Sequence, residues 1–98
     1  MRTRSEAEAF QAAIDAYGRE NQLIVAIEEL SELQKELCKQ MRINTGRPRS
    51  RVAEEIADVE IMLEQLKMLF KNDDAVEMYR LDKVVRLKTR LGMIEYVE

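Results

Sequence analysis

Along the chain, apolar residues recur at steps of three and four, the period of an α-helix, and nowhere alternate as a strand would. Phe10, Ala13, Ile14 and Tyr17 mark a first helix. Ser5-Glu6-Ala7-Glu8 opens it with the S-x-x-E form of a capping box, and Gly18 supplies the residue just past its end. Leu23, Ile27, Leu30, Leu33, Leu37 and Met41 form a seam one face wide, with Gln34 beside it, and predict a second helix from near Asn21 to about Arg42. Ile43-Asn44-Thr45-Gly46-Arg47-Pro48-Arg49-Ser50 cannot continue that helix, because Asn, Gly and Pro fall close together. Val52, Ile56, Val59, Leu63, Leu66 and Phe70 alternate between steps of four and three, predicting a third helix at about 51–71 with Ser50 as its cap. Ile61, Met62, Met68 and Leu69 add apolar surface on its other sides, so this helix is expected to be buried on several of them. After a break at Asn72-Asp73-Asp74, with Asp73 as cap, a fourth helix runs to about Leu91 and ends at Gly92, leaving Met93–Glu98 as a tail.

The pattern predicts one all-α domain over residues 1–98, a four-helix up-down arrangement with short connections. A 98-residue chain buries a smaller share of its surface than a larger one, so completion by oligomerisation is expected. Only 3 Gly and 1 Pro agree with long helices. Residues missing from the chain narrow the chemistry further. With no His and a single Cys, there is no histidine base, no His metal ligand, no internal disulfide and no multi-Cys zinc site. Cys38 is expected to pack as a small hydrophobe in a reducing compartment. The net charge of −3 disfavours general polyanion binding, and no nucleic-acid-binding motif is present. With no run of 18 apolar residues and no signal-peptide pattern, a cytoplasmic protein without membrane contact is expected.

The remaining chemistry lies in carboxylates at helical spacing. The second helix carries Glu28-Glu29-Leu30-Ser31-Glu32, and the third carries Glu55-Ile56-Ala57-Asp58. Residues three apart on a helix have Cβ atoms about 5–6 Å apart. Glu29 with Glu32, and Glu55 with Asp58, are therefore two carboxylate claws, and antiparallel packing of the two helices lets them face each other. Glu55 and Asp58 share their flank with Met62 and Leu69, so they do not lie on a purely polar face. Glu29 and Glu32 lie away from the Leu seam, which also fits a solvated face. Four converging carboxylates repel, and hard oxygen donors of this kind select Mg²⁺.

The paired strings E-E-x-x-E and E-x-x-D, in this order and in an all-helical context, resemble the MazG-like superfamily of all-α nucleoside triphosphate pyrophosphohydrolases. The words around them, Gln22 to Ile27 and Glu54 to Val59, look right as well, and the similarity covers about residues 20–70. The resemblance implies Mg²⁺-dependent hydrolysis of a (d)NTP to (d)NMP and pyrophosphate, a role in clearing nucleotide pools, and a homodimer or homotetramer. It implies Glu29, Glu32, Glu55 and Asp58 as metal ligands and Glu28 as an auxiliary acid. The short chain looks like the compact phage- or prophage-type members.

A triphosphate needs cations beyond the metal. Lys83, Arg86 and Arg90 lie at steps of three and four on the fourth helix, on the stripe that holds Tyr79, and are the expected phosphate contacts. Leu87 stands where the family often has Asn, a departure that bears on base or sugar recognition. The segment from Arg42 to Arg51 holds Arg42, Arg47, Arg49 and Arg51 and no acid. It suits phosphate clamping or a surface loop that answers acidic neighbours. Phe10 and Tyr17 could stack on a base or serve as core or interface. A different class of function also fits the pattern: a non-catalytic helical module that associates through the seams of helices two and three.

Overall fold

The computed structural model describes residues 5–42 and 46–94. It contains four helices, α1 (Glu6–Tyr17), α2 (Arg19–Gln40), α3 (Ser50–Phe70) and α4 (Asp73–Arg90), and no strand among the described residues. Ser5 caps α1 as its motif predicts, its Oγ accepting from the Glu8 amide at 3.1 Å. Gly18 ends α1 at φ 87°, a conformation side chains rarely adopt. It also starts α2 directly, which places the start of α2 two residues before Asn21.

The predicted caps of α3 and α4 are corrected. Ser50 lies inside α3, because backbone turns onto the Pro48 and Arg49 carbonyls begin the helix without a side-chain cap. Asn72, not Asp73, holds the cap position of α4, again without a side-chain hydrogen bond. Of the predicted interhelical segment, Ile43, Asn44 and Thr45 lie outside the described residues, as do residues 95–98 of the predicted tail.

Helices α2 and α3 form an antiparallel hairpin. At its loop end Gln40 Nε2 donates to the Pro48 carbonyl at 3.2 Å, while further along Glu29 meets Glu55 and Asp58. Helix α1 packs on both, and Gln22 Nε2 donates to the Ala13 carbonyl at 3.3 Å. Arg19 lies over the Phe70 ring, 5.1 Å from its centroid.

The expected core is displaced around the helices. Among the described residues the buried ones are Ala26, Val59 and Met62 together with polar Gln22, Glu36 and Gln65. The predicted seams are largely in solvent: Ile27, Leu30 and Leu37 on α2, Met41 just past its end, and Ile56, Leu63 and Phe70 on α3, are each at least 42% exposed. Helical geometry explains the difference. On α2 the inward line is Gln22, Ala26, Glu29, Leu33, Glu36 and Gln40, and at 100° per residue the rest of the Leu seam stands about 100° to one side of it. On α3 the inward line runs through Asp58, Met62 and Gln65, with Ile56, Leu63 and Phe70 again well round to one side. In an antiparallel pair these two offsets fall on the same flank, so both seams merge into one apolar face.

The up-down bundle is also incomplete. Among the described residues helix α4 touches α3 alone, and it has no buried residue. The radius of gyration is 17.9 Å, against about 13 Å for a compact domain of this length. The chain exposes 8537 Å², where a folded monomer of its mass exposes about 5,800 Å².

Lys71 joins α3 to α4 in the left-handed region, at φ 52° and ψ 45°. Lysine pays a steric penalty there that glycine does not. Lys71→Gly is expected to stabilise the protein by about 0.5–1 kcal/mol, measured by urea unfolding.

Candidate metal centre

The hairpin brings three carboxylates together from separate turns. One oxygen each of Glu29, Glu55 and Asp58 lie within 4.8 Å of one another, and all three side chains are half-buried. Glu29 stands on the inward line of α2, level with the turn of α3 that carries Glu55 and Asp58. Burial raises the proton affinity of Glu29 above the usual carboxylate range, and the charges of Asp58, Glu55, Glu32 and Glu28 raise it further. The neighbouring charges that act on Glu29 are thus acidic.

This donor set fits a hard divalent cation. It offers only carboxylate oxygens, with no nitrogen or sulfur. Two oxygens bound to one Mg²⁺ are at most about 4.2 Å apart, so small side-chain rotations suffice.

The other predicted acids stand at the rim. Glu32 is exposed and pairs with Lys35 at 3.4 Å, and Glu28 is exposed. Lys83, Arg86 and Arg90 lie on α4, which makes no contact with α2, and Arg86 is held by Asp82 at 2.9 Å. Within one chain these cations are therefore on a helix that meets α3 but not α2, the helix that carries Glu29. Phe10 is half-buried and Tyr17 exposed. Cys38 is exposed rather than packed, because it points directly away from the inward line of α2.

Sequence reasoning missed Glu36. It is 4% exposed and accepts from Arg47 Nε with both oxygens, at 2.7 and 2.8 Å, while Gln40 Nε2 donates to it at 3.1 Å. A signal was present, since Glu36 lies two turns beyond Glu29 on the same line. Arg47 thus answers an acidic neighbour and fastens the loop to α2. Arg51 pairs with Glu54 at 3.6 Å, and Arg42 and Arg49 are exposed.

The two acids give opposite pH dependences. Hydrogen bonds from Arg47 hold Glu36 below the ordinary carboxylate value, so its contribution is present above that value and lost as pH falls through its folded pKa. Glu29 binds its proton more tightly folded than unfolded, so stability is lost as pH rises from the ordinary value through the raised one. Metal-free protein is expected to show a thermal midpoint that first climbs with pH and then declines. In Glu29→Gln the decline should vanish and the neutral-pH midpoint should rise by a few degrees, as calorimetry would show.

No family model matches the chain, and neither a curated protein nor a solved structure is significantly similar to it.

Proposed function

We propose that the chain is a Mg²⁺-dependent nucleoside triphosphate pyrophosphohydrolase of the MazG-like kind, splitting a (d)NTP into (d)NMP and pyrophosphate and so clearing nucleotide pools. The observation that carries this reading is the meeting of Glu29, from the E-E-x-x-E string, with Glu55 and Asp58, from the E-x-x-D string, within 4.8 Å. Glu29, Glu55 and Asp58 hold the cation, with Glu32 joining them from the adjacent turn. A bound Mg²⁺ supplies charge neutralisation at the phosphates and acidifies water beside them. Glu28, on the exposed rim, orients the attacking water or a second ion. Lys83, Arg86 and Arg90 neutralise the remaining phosphate charge. Water attacks the α-phosphorus in line with the departing pyrophosphate.

Pyrophosphate release from a panel of NTPs and dNTPs, with and without Mg²⁺, tests the reading. Turnover of at least one of them only with Mg²⁺ supports it, and no turnover by folded protein defeats it.

The exposed apolar flank favours a second reading, a helical module that only self-associates. Mg²⁺ separates the two. It raises the thermal midpoint if the carboxylates bind it, and leaves the midpoint unchanged if they are merely a solvated face.

Among the described residues no helix is long and apolar enough to cross a membrane. The proposed enzyme acts on free nucleotides in the cytoplasm, as a homodimer or homotetramer and without nucleic acid.

A further inference from the structure

We propose that α4 is an arm exchanged between two copies of the chain, and that its basic second half closes over the acidic cleft of the other copy. The site is then complete only in the assembly. This rests on the pyrophosphohydrolase reading for the role of the cleft, but the exchange itself stands on the shape and charge of the chain.

An isolated helix of this length is marginal in water, yet the 18 residues of α4 touch only α3 and bury nothing. A helix with so little of its apolar surface covered needs a partner surface. The chain also exposes about 2,700 Å² more than a folded monomer of its mass. Over two chains that excess is about 5,400 Å², at the upper end of the about 2,000–5,000 Å² and more that obligate dimer interfaces bury in total. A second copy is thus the occupant whose area fits.

Charge sets where the arm lands. From residue 82 onward α4 carries Lys83, Arg86, Lys88 and Arg90 against the single acid Asp82. The cleft and its rim carry Glu28, Glu29, Glu32, Glu55 and Asp58. The two surfaces are complementary, yet within one chain α4 meets α3 only and makes no contact with α2, which carries Glu28, Glu29 and Glu32. On α4, Lys83 and Arg90 share a flank with Val76 and Leu87. Apolar docking of that flank on a partner brings the cations with it.

Two measurements decide the matter. The first mixes Glu55→Gln with the triple variant K83A/R86A/R90A by co-refolding from urea. Each should be inactive alone. Random pairing leaves one intact site in half of the dimers, so the mixture should recover about a quarter of wild-type turnover. No recovery in mixed dimers isolated through two tags, or wild-type turnover by the triple variant, overturns the exchange. The second needs no turnover. Isotopically light and heavy protein are mixed and treated with a carbodiimide, which joins a lysine amine to a touching carboxylate. Links from Lys83 to Glu28 or Glu32 between light and heavy chains support the proposal. Links only within one isotope, or none, overturn it. A wild type without any turnover but with such mixed links defeats the enzymatic reading and leaves the exchanged arm standing.

Discussion

Glu55→Gln and Asp58→Asn are each expected to lower pyrophosphate release by more than about 100-fold at saturating Mg²⁺, because changing even the partners of metal ligands costs roughly 10–100-fold. Both side chains lie in the cluster with Glu29. Both substitutions keep side-chain size and remove one charge from a repelling group, so the metal-free variants should melt no lower than wild type. A steady-state pyrophosphate assay paired with calorimetry reads the two effects together. Lost turnover with retained or raised stability marks a functional cluster. Unchanged turnover removes these residues from the reaction. A large fall in stability instead means that they serve the fold.

The second large effect concerns the apolar flank. Leu30→Asp with Leu63→Asp is expected to weaken self-association by at least about 30-fold, the factor that corresponds to the loss of one interface hot spot. Leu30 and Leu63 are both 45% exposed in the single chain, so aspartate is accommodated without breaking the hairpin. Sedimentation velocity over a dilution series reads the change. An unaltered sedimentation coefficient would clear this flank of any part in assembly.

Much of the local structure is legible in the sequence. The Ser5 capping box, Gly18, the break around Pro48 and the four helical periods each act through neighbouring residues, and each corresponds to an element at nearly the expected position. The core was less legible. A seam of leucines marks a face that must leave water, but periodicity does not say whether it meets its own chain or another. In α2 the line that turns inward is Gln22, Ala26, Glu29 and Glu36 instead, with small Ala26 among its most buried residues. The paired acidic strings drew attention to Glu29, Glu55 and Asp58 through their spacing. Glu36 escaped notice because its partner, Arg47, is set by loop geometry that no short-range pattern encodes. The chain turns from α3 into α4 at a left-handed residue, Lys71, a position that glycine would normally fill.

That joint has a mechanical consequence. Lys67 Nζ reaches Glu64 at 2.7 Å and Asp73 at 3.6 Å, bracing the last turn of α3 against the first residue of α4. With only Lys71 and Asn72 between the helices, the elbow has few torsions left to choose. Whatever surface α4 meets, it meets it with its direction already set, so little rotational freedom remains to be lost on contact. The brace is partly solvated, and added salt should loosen the elbow and make the encounter entropically more costly.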